Sequence, residues 1–352
     1  MKKVLVVFGG VSSEHDVSLV SASNVIANIP ADKYEVLMLG ITKEGAFYLF
    51  DGSPDMLPGG NWLKNGDLLE PAVISPDRTH HGVISLKNGK ITPIDVVFPV
   101  LHGKNGEDGT IQGLLELSGI PYVGCPHLSS AITMDKAYTN LIADYYGVSQ
   151  AKWLSFEKTD FDRDESALLN GAESKLGYPI FVKPANAGSS VGISKAVNRL
   201  ELRDACLLAF RHDKKVVLEE CITGKEVECA VLGNNDPVAS AVGGIQPSND
   251  FYDYEAKYVS NDSKLFIPAD IGEDTAEEIR AEAVRIFRAL GCRGLSRVDF
   301  FVRNGDNKVM FNEINTLPGF TSISMYPKLF EYSGIPYGEL IDRLISLAVE
   351  DR

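Results

Sequence analysis

The sequence predicts an α/β protein of two or three packed subdomains, the first built on a parallel sheet. Three observations carry this reading. Val4–Phe8 is a short unbroken apolar run that opens into Gly9-Gly10, the pattern of a buried parallel strand leading to a loop. Strand-like and helix-like segments alternate through the first third of the chain, a βαβ rhythm. The 352 residues exceed what one small core accommodates.

The elements follow in order. Val17–Ile29 has helical spacing, and Tyr34–Ile41 and Asp95–Leu101 read as further strands. Thr110–Leu117 reads as a helix stopped at Gly119, with Pro121 beyond. One helix is expected from about Ser129 to Tyr146. The middle third sets strands at Lys152–Phe156, Ile180–Lys183, Val216–Glu219 and Val227–Leu232 among helices near Ser166–Leu176 and Arg199–Phe210. Residues 246–264, rich in Asn, Asp, Ser and Tyr, read as a long loop of the kind that serves as a lid. A helix over Thr275–Leu290 precedes two strands, Ser296–Arg303 and Lys308–Glu313, around an Asn304-Gly305 turn. Two helices close the chain.

Composition narrows the function classes. With 44% hydrophobic and 23% charged residues the balance is that of a soluble globular protein. No apolar run approaches the ~20 residues of a membrane span, and the opening MKKVLVVFGG reads as a first strand rather than a signal peptide. A net charge of −14 argues against nucleic acid as a partner, although a local group of lysines and backbone N–H groups suffices for a nucleotide. The five cysteines form no CxxC pair and indicate neither a zinc site nor a disulfide framework, which suits a reducing compartment.

Six segments carry candidate chemistry. Arg297 with Asp299, and Glu313 with Asn315, sit at i, i+2 on predicted strands, so each pair shares a face. If the hairpin brings the strands together, Asp299, Glu313 and Asn315 converge as hard oxygen ligands for Mg²⁺ held with phosphate oxygens. A strand pair with a solvated charged face fits the same pattern, but the apolar neighbours Val298, Phe300, Phe301, Phe311 and Ile314 favour acids that need partners. KPANAGSSVG (183–192) follows a strand and offers backbone N–H groups, two hydroxyls and Lys183 to a phosphate. It lacks the Walker A spacing, and a glycine-rich turn alone is weak evidence. Leu218–Ile222 is a strand edge suited to adenine, with Glu226 placed for ribose hydroxyls; read alone it is equally an acidic surface strand end. HGKNGEDG (102–109) and GGVSSEHDVS (9–18) each leave the C-terminal end of a strand, where α/β proteins bind ligands. Glu14 in the second can hold an ammonium group. Both also read as plain loop–helix junctions with Asp108 and Asp16 as N-caps. FYDYEAKY (251–258) combines three tyrosines with Lys257 and reads either as a lid over a γ-phosphate or as a surface loop with aromatic anchors.

Taken together with MDK (134–136), SRVDF (296–300) and NEINTLPGFTS (312–322), these segments resemble in type and order the D-alanine–D-alanine ligase family of the ATP-grasp superfamily, over nearly the whole chain. The resemblance implies an N-terminal α/β domain (1–128) with the first D-alanine site, a central ATP-grasp subdomain (129–241), and a C-terminal subdomain (242–352) with lid, metal and second-substrate site. The nucleotide would lie between the last two. It assigns ATP to Lys136, Lys183, Ser190, Glu219, Ile222, Glu226 and Lys257. Two Mg²⁺ ions, with Mn²⁺ as a substitute, would rest on Asp299, Glu313 and Asn315. Glu14 would take the ammonium of the first D-alanine, with His102 close by, and Ser189, Tyr258 and Glu14 would link the lid to that site. Ser324 and the Gly319 region would bind the second carboxylate, and Arg297 with the Gly319 N–H would stabilise the oxyanion. A cytoplasmic homodimer that makes peptidoglycan precursors is implied as well.

For the second substrate, residues 246–264 hold no histidine of the D-lactate type, and Tyr258 matches D-alanine ligases. Met325 stands where D-serine ligases carry arginine. Ile323 departs from the histidine of many relatives. The competing readings are a D-alanine–D-serine ligase, an ATP-grasp enzyme of the biotin carboxylase type, which should lack the Glu14 loop and the tyrosine-rich lid, and a non-catalytic nucleotide-binding regulator, which can dispense with Arg297 or a metal ligand. None of those residues is missing here.

Overall fold

The computed structural model describes residues 1–188, 191–246 and 264–350. In its first sheet β1 (Lys2–Gly9) lies between β2 (Tyr34–Ile41) and β7 (Val96–Val100) and runs parallel to both. Its side chains alternate between two cores. Val4, Val6 and Phe8 pack with Leu19, Ala22 and Val25 of α1 (His15–Asn28), while Leu5 and Val7 pack with Ile111 and Leu115 of α2 (Thr110–Ser118). A strand covered on both faces has no place for a polar side chain, which is why Val4–Phe8 is unbroken. Beyond β2 the sheet continues antiparallel through β3 (Phe47–Phe50), β4 (Leu69–Ile74), β5 (Gly82–Ser85) and β6 (Ile91–Pro93). Sequence patterning misses these four strands because each is short, at three to six residues, and without a clean alternation.

A second, antiparallel sheet has the order β10-β9-β11-β8, from β8 (Trp153–Glu157), β9 (Ile180–Pro184), β10 (Ser194–Ala196) and β11 (Lys215–Glu220). It is covered by α5 (Lys158–Arg163), α6 (Glu165–Leu176) and α7 (Arg199–Ala209) around Leu169, Val182, Leu202 and Val216. Two helices join the first sheet to the second. The single helix expected over 129–146 is broken into α3 (His127–Met134) and α4 (Lys136–Tyr145). The break is Asp135, whose backbone is extended (φ −89°, ψ 103°) and whose Oδ1 accepts from the N–H groups of Ala137 and Tyr138. An aspartate that caps a helix ends the preceding one. Its Oδ2 accepts from the Lys215 ammonium at 2.5 Å, in a pair almost closed to solvent.

The third sheet has the order β14-β13-β12-β15-β16, from β12 (Gly224–Gly233), β13 (Val238–Gln246), β14 (Lys264–Phe266), β15 (Gly294–Arg303) and β16 (Val309–Asn315), all antiparallel. It begins at Gly224, inside the span expected for the central unit. One face (Val227, Cys229, Val298, Phe300, Ile314) packs on Ile279, Ala283, Ile286 and Phe287 of α8 (Glu273–Ala289). On the other face Ala230, Leu232 and Leu295 join the core formed with α9 (Met325–Tyr332) and α10 (Tyr337–Glu350), while Glu226, Glu228, Arg297, Asp299, Glu313 and Asn315 make much of the remainder polar. Segment 247–263 joins the paired strands β13 and β14 and lies outside the described residues.

Asp135→Ala removes a helix cap and leaves Lys215 without its carboxylate. The thermal midpoint is expected to fall by at least about 3 °C, and by clearly more than for Asp164→Ala, the exposed cap of α6. Circular dichroism melts compare the two, and equal drops would show that the Lys215 pair adds nothing.

Candidate active site

Two cavities meet between the sheets. The first, of about 480 Å³, is lined by Glu14, His102, Lys136, Gly188, Arg297, Asn315, Gly319, Ser324 and Met325 among others. The second, of about 900 Å³, lies between the second and third sheets against Lys183, Glu219, Ile222, Glu226 and Phe301. Asn312 and Glu313 line both. Such junctions of concave, partly apolar space with a few convergent polar groups are where small ligands bind.

The floor at the junction is the polar face of the third sheet. Glu228, Asp299 and Glu313 face one another across β12, β15 and β16, and Ala230, Arg297 and Asn315 form the next level. Arg297 binds Asp299 bidentately, Nε to Oδ1 at 2.8 Å and Nη2 to Oδ2 at 2.7 Å, and the Asn315 amide donates to Oδ2 at 3.0 Å. Glu228 Oε1 lies 3.2 Å from Arg297 Nε. Burial disfavours the guanidinium charge, but Asp299 and Glu228 outweigh it and hold the Arg297 pKa well above its usual value. A bulge after Asp299 leaves Asn312 as the extra residue of β16.

In the second cavity Lys183 at the end of β9 pairs with Glu219 of β11 at 2.6 Å, and Asn140 of α4 donates to the other Glu219 oxygen at 3.4 Å. Burial lowers the lysine's affinity for its proton, yet Glu219, with Glu313 and Glu226 at longer range, keeps its pKa raised. The ammonium therefore stays charged in a largely closed site. The strand leads into the glycine-rich loop, whose root is gripped on several sides. Lys136 donates its backbone N–H to the Ala185 carbonyl at 3.0 Å and its ammonium to the Ala187 carbonyl at 2.7 Å. Asn186 donates to Asp213 at 2.8 Å and to Asp135 at 3.3 Å.

Two loops of the first sheet form the opposite wall. Glu14 is buried at the start of α1. Gly103 approaches it so closely, at a φ of +68°, that a Cβ there would lie 2.5 Å from Glu14 Oε2; only glycine fits. A Cβ at Gly188 would lie 3.7 Å from the same oxygen, so the glycine-rich loop reaches this wall. His102 is held by the Ser21 hydroxyl at 3.1 Å and the Leu317 carbonyl at 3.3 Å, with Glu107 Oε1 at 3.6 Å. Burial opposes its charge, but Glu107, Glu14 and the Leu317 carbonyl together leave its pKa raised above 6.5. At the far end Ser324 Oγ accepts from the Thr321 N–H at 3.0 Å, and a Cβ at Gly319 would sit 2.8 Å from it. Met325 is buried against Gly243 of β13, where a Cβ would lie 2.8 Å from its sulfur.

The structure thus gathers Glu14, His102, Lys136, Arg297, Glu313, Asn315, Gly319, Ser324 and Met325 around one cavity, with Asp299 beneath Arg297, and Lys183, Glu219, Ile222 and Glu226 around the other. Ser189, Ser190, Lys257 and Tyr258 lie outside the described residues. Two of the caps expected above are corrected. Asp16 is inside the first turn of α1 and pairs with Lys43 instead, because the helix already starts at His15. Asp108 precedes the cap position, Gly109, and its carboxylate accepts from the N–H groups of Asn105 and Thr110. Sequence reasoning passed over Glu228 and Asn140, and gave Glu107 no role although it singled out the HGKNGEDG segment. The available signal for Glu228 was an acid between Val227 and Cys229, in the two-residue step of the strand from Glu226.

Comparison with known proteins gives a matching frame. The model of the D-ala D-ala ligase N-terminus matches residues 3–125, and that of the D-ala D-ala ligase C-terminus matches residues 142–346. The chain belongs to the D-alanine–D-alanine ligase family. It is 54% identical to a D-alanine–D-alanine ligase of Acetivibrio thermocellus, covering 99% of this chain and 96% of that protein, and 52% identical to one of Caldicellulosiruptor bescii, covering 99% and 95%. Among solved structures it resembles the VanG D-Ala:D-Ser ligase from Enterococcus faecalis, at 43% identity and a TM-score of 0.91 over 99% of both chains. It also resembles the D-alanine–D-alanine ligase from Coxiella burnetii, at 35% identity and a TM-score of 0.86 over 99% of this chain and 96% of that one. The family is one of ligases, and its ATP-grasp fold accounts for the two antiparallel sheets that enclose the larger cavity.

The raised His102 pKa means that the folded state holds this proton more tightly than the unfolded chain does. The stabilisation from Glu107 is therefore fully present below 6.5 and is lost as pH rises through the higher folded value. Glu107→Gln is expected to destabilise the protein more at about pH 5.5 than at about pH 9. Urea titrations at the two pH values measure this, and a pH-independent deficit would remove the charge coupling.

Proposed function

We propose that this protein joins two D-alanines at the expense of ATP, through a D-alanyl phosphate, in the cytoplasmic synthesis of peptidoglycan precursors, and that it does so as a homodimer. The single observation that carries the reading is the junction of the two cavities over Arg297, Asp299, Glu313 and Asn315. A carboxylate is a poor acyl donor because oxide would have to leave. Transfer of the γ-phosphoryl group to the first D-alanine converts that oxygen into a phosphate leaving group. The amine of the second D-alanine then attacks the carbonyl, phosphate departs and the peptide bond remains.

The residues divide this work. Lys183, with Lys136 and the glycine-rich loop, holds the phosphates, and Glu219, Ile222 and Glu226 hold the nucleoside end in the larger cavity. Glu14 takes the first ammonium group, with His102 close to it. Arg297 and the Gly319 N–H face the oxyanion, where a preorganised donor is worth ~10²–10³ in rate. Ser324 binds the second carboxylate. The roles of Ser189, Ser190, Lys257 and Tyr258 in phosphate binding and closure rest on the family resemblance alone.

The donor set fits Mg²⁺. Asp299 and Glu313 are direct cross-strand partners, Asn315 adds an amide oxygen, and all three are hard ligands. Among the described residues no three Asp, Glu, His or Cys side chains form a metal cage by themselves, which suits an ion that is shared with nucleotide phosphates. Two such ions, or Mn²⁺ in their place, would neutralise charge on the phosphates when bound. The three-unit division at 1–128, 129–241 and 242–352 is part of the same proposal. Met325 gives the second-substrate end an apolar wall, which favours D-alanine over D-serine.

Release of ADP is expected with ATP, Mg²⁺ and D-alanine as the sole amino acid, with no acceleration when D-serine or D-lactate is added; silence with D-alanine would defeat the reading. Arg297→Ala is expected to lower ligation by about 10²–10³-fold while ATP binding, followed by calorimetry, persists. Retained ligation would take Arg297 out of its role.

A further inference from the structure

We infer that Glu228 is a positioning residue that anchors the Arg297 guanidinium for the ligation step, at a cost to the stability of the fold. The inference rests on the role proposed above for Arg297. Glu228 lies in β12 between Val227 and Cys229, which point into the α8 core, so its own side chain is turned to the polar face. That side chain is 3% exposed, and Oε1 is 3.2 Å from Arg297 Nε. Asp299, equally buried, takes the same edge of the guanidinium through Nε and Nη2. Arg297 is the more exposed member of this set and lines the first cavity.

Asp299 already forms the bidentate pair, and Glu228 adds a third carboxylate to a row with Asp299 and Glu313 across neighbouring strands. Like charges side by side on a sheet repel, and burying a further carboxylate carries a desolvation penalty. What Glu228 supplies is geometry. A second carboxylate at Nε restricts how the guanidinium pivots on Asp299. It also gives Arg297 a partner that the proposed metal site does not claim, since Asp299 is offered to the ion as well. Functional sites commonly retain features of this kind that lower stability.

The test is Glu228→Gln, which keeps the shape and removes the charge. We expect kcat for D-alanine ligation to fall about ten- to hundredfold, the size associated with a misplaced catalytic group. KM for ATP should stay within about twofold, and the melting temperature should be equal to wild type or higher. An unchanged kcat, a loss confined to KM for ATP, or a kcat loss that comes with a lower melting temperature would each overturn the inference. Wild-type enzyme in the same assay separates the two claims, because its failure to turn over D-alanine defeats the proposed reaction instead. In that event a crystal structure of the variant decides, and an Arg297 side chain that has not moved would overturn the positioning role.

Discussion

The constraint on which the site depends is the two-residue alternation of β12, β15 and β16. One set of side chains, Val227, Cys229, Val298, Phe300 and Ile314, is buried on α8, and this fixes the register of all three strands. The alternate set is then obliged to face the cavities, and it holds Glu228, Arg297, Asp299, Glu313 and Asn315. A slip of one residue would exchange the sets and bury charge against α8. The apolar face therefore positions the chemistry as firmly as the polar contacts do.

The same electrostatic arrangement recurs at both cavities. Lys183 and Arg297 are largely buried cations, and each retains its charge because an acid sits against it: Glu219 for Lys183, and Asp299 with Glu228 for Arg297. An anionic ligand bound as proposed would meet cations already fixed in place, with little side-chain freedom left to lose on binding. The grip on the loop root by Lys136, Asp135 and Asp213 extends this preorganisation to the backbone that would face the phosphates.

Much of this was legible in the sequence where the signal was local. The unbroken Val4–Phe8 run, the i, i+2 pairs around Val298 and Ile314, and the glycine-rich segment after Ile180–Lys183 each reflect a strand whose burial dictates residue type. What escaped depends on partners distant in the chain. Nothing near Asp135 announces Lys215, so a capping aspartate looked like one more residue of a continuous helix. The four strands between Phe47 and Pro93 are short and take their stability from neighbours rather than from a strong pattern of their own. Glu228 gains its meaning only when β15 is laid beside β12.

The packing of Met325 on Gly243 has a wider consequence. Met325 belongs at once to the buried core with Leu329 and Phe330 and to the rim of the smaller cavity, and its sulfur occupies the notch left by a missing side chain on β13. With Met325 at the acceptor end, as proposed, drift toward another amino acid as acceptor is not a single-step path. A longer or charged group at 325 must leave the notch, so the vacated volume and the new recognition contact have to be resolved together, and substitutions at 243, 325 and 329 should travel as a linked set during divergence.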